Sequence, residues 1–164
     1  VDYAEEKELS AKINSGLDVH TACMEMMGMT DREPAKTINF MNLYGGGIQK
    51  LADDLGIPLA KATELKANYW RVLPQVQTFI RKVVNMAERR GYIFNWYGRK
   101  CNFPDRGFSY IAPNHLIQGG GADVMKVAMN KIDDFLKSYK SRMLIQVHDE
   151  LVFEISKEGY LYER

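Results

Sequence analysis

Chain breakers recur at short intervals through the first half of the sequence, and they constrain the fold more than any other feature. Gly16, the triplet Gly45-Gly46-Gly47, Gly56 with Pro58, Pro74 and Gly91 divide that stretch into segments of helical length. A glycine just past a helix ends it by turning left-handed without steric cost. A proline can open the next helix, because its missing N–H is one that a first turn leaves unsatisfied anyway. Apolar spacing between the breakers predicts short helices over about 6–14, 19–27, 48–55 and 59–72, then a long basic one from Pro74 to Arg90.

The segment TDREPAKTINFMNLYGGG, residues 30–47, predicts a further helix that the glycine triplet ends. Thr30 with Glu33 would form a capping box, and Asp31 would serve as a simple N-cap. Asp31 is preferred, because Pro34 then falls in the first turn, where it breaks no hydrogen bond. Beyond Gly91, YIFNWYGRKCNF reads as a β-hairpin turning near Gly98, and MLIQV and LVFEI read as two short strands flanking His148-Asp149-Glu150. A helix from about Pro113 to Ser138 lies between them. The expected class is α+β, mostly helical with a small antiparallel sheet.

The length allows one compact unit, and 46% hydrophobic with 26% charged residues is ordinary for a soluble chain. A net charge of +1 gives no global attraction for an anionic partner. Between Ile80 and Arg106, however, seven basic residues face two acidic ones. Such an excess suits a phosphate backbone, and equally a solvated helix face. Cys23 and Cys101 lack metal-site spacing and read as packed thiols in a reducing compartment. No apolar run reaches the roughly 18 residues of a membrane span, so the sequence suggests a cytosolic protein with no membrane partner.

Two motifs suggest chemistry. Arg32, Lys36, Phe40 and Tyr44 follow one another at i+4 steps, on one slowly drifting helix face. Cations near a helix N-terminus and aromatic rings beyond them suit a ligand with a phosphate tail and a planar base, such as a nucleoside triphosphate. An amphipathic helix with core aromatics and surface cations would show the same spacing. In QVHDELVFE, a tight turn presents Asp149 and Glu150 side by side; their repulsion favours a site where a divalent cation neutralises them, although acidic residues are also common in plain turns. GGGIQK lacks phosphate-loop spacing and follows no strand. The second triplet, Gly119 to Gly121, lies inside a predicted helix, where each glycine costs about 1 kcal/mol relative to alanine. Close approach of another backbone or of a ligand beside Gln118 would explain it, and so would a local helix break.

Together these segments resemble the family A DNA polymerases, including bacterial DNA polymerase I and related phage enzymes. REPAKTINFMNLYG is similar to the fingers-helix motif RxxxKxxxFxxxYG, and QVHDELVFE to the palm motif with its metal-binding aspartate. LDVHTA, GYIFNWYGRK and LIQGGGADVMKVAM match further stretches in the right order. The resemblance implies a fingers subdomain with flanking helices and hairpin over residues 1–110, and a partial palm over 111–164. It implies that Arg32 and Lys36 hold the triphosphate of an incoming dNTP with help from His20. Phe40 would pack on the sugar, disfavouring dideoxynucleotides, and Tyr44 would sit beside the nascent base pair. Gln118 and His148 would touch the minor groove of primer-template DNA, where acceptors common to all base pairs report geometry, and Asn114 and Arg99 would make more general contacts. Asp149 would be a metal ligand with Glu150 its acidic neighbour, in a two-Mg²⁺ scheme of nucleotidyl transfer. The expected setting is the cytoplasm of a bacterium or phage-infected host.

Two alternatives stand beside this reading: a non-catalytic nucleic-acid-binding descendant, and a single-subunit RNA polymerase, although the latter typically carries HDS where this chain has His148-Asp149-Glu150. The family also needs an aspartate from a strand like DYSQIE. Asp2-Tyr3-Ala4 mimics its first letters, but the ungapped register back from His20 puts VDYAEEKEL on the helix after that strand. The expectation is therefore a fragment whose second metal-binding aspartate lay upstream, whose palm continues past Arg164, and which is inactive alone.

Overall fold

The computed structural model describes residues 4–156 of the chain, so Asp2 and Tyr3 lie outside the described residues. Helices α1 (Lys7–Asn14), α2 (Val19–Met26), α3 (Arg32–Leu43), α4 (Ile48–Leu55), α5 (Leu59–Val72) and α6 (Pro74–Arg90) follow the breakers closely. A hairpin of β1 (Tyr92–Phe94) and β2 (Lys100–Asn102) comes next, then a 3-10 helix at Arg106–Ile111. The long helix α7 (Ala112–Leu136) leads through a short 3-10 turn to a second hairpin, β3 (Arg142–Val147) and β4 (Glu150–Glu154). The class is α+β, with two separate two-stranded antiparallel sheets among the described residues. The chain divides into two compact units, one ending at Leu116 and one beginning at Ile117.

Local chemistry accounts for the boundaries. The Asp31 side chain accepts from the Glu33 backbone N–H at 3.1 Å, so Asp31 is the N-cap of α3. Gly56 and Gly91 close α4 and α6 with φ of +63° and +79°, a conformation that costs a residue with a Cβ. In the first unit, one core gathers Leu9, Cys23, Ile38, Leu51, Tyr69 and Leu73 from the first five helices and the residue before α6. A smaller one joins Val83 and Ala87 of α6 to Ile93, Phe103 and Leu116.

Long-range polar contacts complete this unit. The nearly buried Glu6 carboxylate accepts from the Gln75 N–H at 3.0 Å and so caps α6 from the start of α1. Helix α5 braces the ends of two others. Lys66 Nζ donates to the Gly46 carbonyl at 2.7 Å, and Asn68 Nδ2 to the Met27 carbonyl at 3.0 Å. These hold the C-terminal ends of α3 and α2 in place.

In the second unit the helix continues through Gly119–Gly121 without a break, contrary to what local propensity alone would favour. In the β3–β4 hairpin Val147 pairs with Glu150, and a register shift between Met143 and Ile145 marks a β-bulge. The turn is therefore only His148 and Asp149, with Glu150 already in the ladder. His148 takes φ +54°, an uncommon value for a residue with a side chain.

Candidate nucleotide and nucleic-acid site

Helix α3 buries Ala35, Ile38, Asn39, Met41 and Asn42. That inward side turns Arg32, Phe40 and Tyr44 out to solvent and leaves Lys36 half-buried on the same outer face. Phe40 and Tyr44 stack, with ring centroids 5.6 Å apart and planes 12° from parallel. The aromatics of this face are thus not core residues; each exposes more than a third of its surface, at 38% and 39%.

The cationic end is built from two helices. Arg32 Nη2 donates to Asp18 Oδ1 at 2.9 Å, and Nη1 donates to Glu33 Oε1 at 3.4 Å. Asp18 also caps α2, accepting from the backbone N–H groups of His20 at 3.0 Å and Thr21 at 3.4 Å and from the Thr21 hydroxyl. One carboxylate therefore ties the start of α2 to the start of α3. The Arg32 guanidinium, then the Thr21 hydroxyl, hold its carboxyl well below the usual carboxylate range. The Lys36 ammonium lies 3.9 Å from Glu33.

His20 reaches the α3 face from α2. Its ring lies 5.1 Å from that of Phe40, tilted by 56°, and its Nδ1 is 3.2 Å from Asn39 Nδ2. Burial, then the nearby Arg32 charge, lowers the imidazole pKa; Lys36 acts in the same direction, while Asp18 and Glu33 oppose. The structure thus brings together His20, Arg32, Lys36, Phe40 and Tyr44 in one continuous surface. The cationic side chains of Arg32 and Lys36 lie at one end of it, and two nearly parallel rings at the other.

The remaining predicted residues belong to other elements. Arg99 closes the β1–β2 turn, where the Asn95 side chain accepts from the N–H groups of Tyr97 and Arg99 at 3.0 and 2.9 Å. Asn114, in the first turn of α7, has a buried Oδ1 without a hydrogen-bond partner among the described residues. Gln118, on α7, and the hairpin residues His148, Asp149 and Glu150 belong to the second unit and are exposed. No group of three or more metal-ligating His, Cys, Asp or Glu side chains gathers among the described residues. Mg²⁺ is commonly held by one or two carboxylates with waters and substrate phosphates, and the exposed Asp149 and Glu150 fit such a partial donor set. No described helix is long and apolar enough to cross a membrane.

Sequence reading alone missed three participants. Asp18 carries a signal, an acidic residue just before an apolar helix, but its bond to Arg32 depends on packing. Asn39 is nearly fully buried at 1% exposure, and no local pattern connects it to His20. Tyr110 lies against Gly45, next to Tyr44; a Cβ placed on Gly45 would come within 3.1 Å of the Tyr110 ring.

Comparison with known proteins places these features in a family. The model for DNA polymerase family A matches residues 1–161. The thermostable DNA polymerase I of Thermus aquaticus is 35% identical over an alignment covering 93% of this chain and 20% of that enzyme. DNA polymerase I of Deinococcus radiodurans is 34% identical, over 85% of this chain and 16% of that protein. The chain thus spans about a fifth of the length of such relatives. Among solved structures, the POL domain of Pol1 from M. smegmatis, in complex with DNA primer-template and dNTP, superposes with a TM-score of 0.83 at 30% identity, covering 94% of this chain and 31% of that one. A match running through nearly the whole sequence, together with the likeness in fold, shows that the chain belongs to DNA polymerase family A.

Proposed function

We propose that this chain is the nucleotide-selecting fingers, with part of the palm, of a template-directed DNA polymerase. The observation that carries the reading is the outer face of α3, where Arg32 and Lys36 precede the stacked rings of Phe40 and Tyr44 and His20 is brought alongside. Its length and order of groups suit a deoxynucleoside triphosphate lying along the helix. The phosphates meet Arg32, Lys36, His20 and the positive end of the macrodipole; the sugar and base meet the rings. Further support is that the similar M. smegmatis domain was solved with primer-template and dNTP.

In this reading Arg32 is shared between the triphosphate and Asp18. The carboxylate keeps the guanidinium aimed along α3 before the ligand arrives, which reduces the ordering cost of binding. Phe40 packs on the sugar, and Tyr44 guards the position of the templating base. Gln118 and His148 read the minor groove of the primer-template, while Asn114 and Arg99 contact it more generally. Asp149, with Glu150 adjacent, holds Mg²⁺, which when bound supplies the charge that neutralises the reacting phosphates and activates the primer hydroxyl.

The test is the affinity of the chain for a deoxynucleoside triphosphate, measured calorimetrically for wild type and Lys36→Ala. A charge-assisted hydrogen bond of about 1.5–3 kcal/mol corresponds to a loss of roughly tenfold to a hundredfold. Equal affinities for the two proteins would remove this helix from nucleotide binding.

A further inference from the structure

We propose that Asn39 is a positioning residue that fixes His20 as its Nε2–H tautomer, so that the ring nitrogen turned away from Asn39 donates to a phosphate of the bound nucleotide. The identity of that ligand rests on the nucleotide reading above; the control of the tautomer does not.

The argument begins with the donor inventory. Asn39 Nδ2 lies 3.2 Å from His20 Nδ1, and an amide nitrogen can donate but cannot accept. Nδ1 must therefore carry the lone pair, and the single proton of a neutral imidazole must be on Nε2. Asn39 is buried to 1% exposure between α2 and α3, so water cannot substitute for this bond. Burial in the packed contact between the two helices holds the amide in place, and with it the imidazole.

The consequence is electrostatic. Arg32 and Lys36 from α3 disfavour a third positive charge at His20, as does burial, while Asp18 of α2 and Glu33 of α3 favour it in part. A neutral ring has one N–H to offer. With the proton on Nδ1, the lone pair of Nε2 would face an anionic phosphate and repel it. With the proton on Nε2, the same atom donates a hydrogen bond. A buried amide on the inner side of α3 thus decides whether His20 attracts or repels the ligand on the outer side.

The tautomer is read directly by long-range ¹⁵N–¹H correlation NMR of the ¹⁵N-histidine-labelled chain at pH 7 without nucleotide. His20 is one of three histidines and is assigned by its loss in His20→Gln. The expected pattern is a neutral ring protonated on Nε2. An Nδ1–H pattern, or an imidazolium, would overturn the proposal without any variant having to fold. Asn39→Asp places an acceptor against Nδ1 and is expected to move the proton there. An unchanged tautomer in this folded variant would also overturn it.

Binding of deoxyadenosine triphosphate supplies the second readout. Asn39→Leu is expected to weaken it several-fold in the wild-type background and to have no further effect in His20→Gln. Equal losses in both backgrounds would show that Asn39 acts on structure and not through His20. A chain with the Nε2–H tautomer that binds no triphosphate would uphold the control by Asn39 and overturn the nucleotide reading alone.

Discussion

Gly91 is the position where a single methyl group should have the most analysable effect. It closes α6 with φ +79°, and a Cβ built there would fall 1.7 Å from Arg106 Nη1. Gly91→Ala therefore meets two costs. The left-handed conformation with a Cβ costs about 1–2 kcal/mol. The guanidinium must also move, and it would forfeit its hydrogen bond from Nη1 to the Phe103 carbonyl at 2.8 Å, about 1 kcal/mol for an exposed donor. The sum is roughly 2–3 kcal/mol, which lowers Tm by about 5–10 °C in a chain of this size. Gly56→Ala is the control: φ is +63°, and nothing lies within 4 Å of the added Cβ, so only the backbone cost applies. Unfolding followed by tryptophan fluorescence suits the comparison, since Trp70 and Trp96 are the two tryptophans and both belong to the first unit. Gly91→Ala should be the more damaging variant, and its excess should vanish in an Arg106→Ala background. Equal losses at Gly56 and Gly91 would refute the argument that Arg106 occupies the space.

Two further outcomes follow from α3 and from His20 of α2 beside it. Asn42 is buried at 4% exposure, and its side-chain nitrogen and oxygen both lack partners among the described residues, so Asn42→Leu, which is nearly isosteric, should stabilise the chain by about 1–3 kcal/mol; a fall in Tm by calorimetry would show that the amide is satisfied. His20 has a folded-state pKa below its ordinary value of about 6.5, so below that pH the unfolded chain binds more protons and stability falls. The stability that His20 contributes through being buried neutral is therefore complete above pH of about 6.5 and declines as pH drops towards the folded-state pKa. Urea denaturation of wild type and His20→Gln across pH 7.5 to about 5 should show wild type losing relatively more stability on acidification; parallel curves would contradict the assigned burial.

Much of the architecture was legible without coordinates because the signals that set helix ends act over a few residues. Asp31 caps α3 through a bond to a backbone two positions away, Pro74 opens α6, and Gly56 and Gly91 turn left-handed at the ends of α4 and α6. The spacing of Arg32, Lys36, Phe40 and Tyr44 likewise depends only on helical periodicity. The helix expected from about Pro113 to Ser138 also forms and runs through its glycine triplet, where local propensity alone would favour a break. The HDE turn marks the limit of such reasoning, since strand pairing took Glu150 into the ladder and left two residues in the turn.

What tertiary structure alone decided is which face of α3 meets solvent and what stands next to it. The sequence by itself determined the helices and the order of charged and aromatic groups along one of them. It left open whether Phe40 and Tyr44 were core residues, because periodicity names a face without saying where it points. Packing of Ile38 and Asn39 against α2 answered that, and the same packing set Asp18 beside Arg32 and Asn39 beside His20. Glu6 capping α6 and Lys66 holding the carbonyl of Gly46 are contacts of the same kind. Each joins groups far apart in the chain, and no local pattern encodes such a pair; it exists only when burial of apolar surface has brought the helices together.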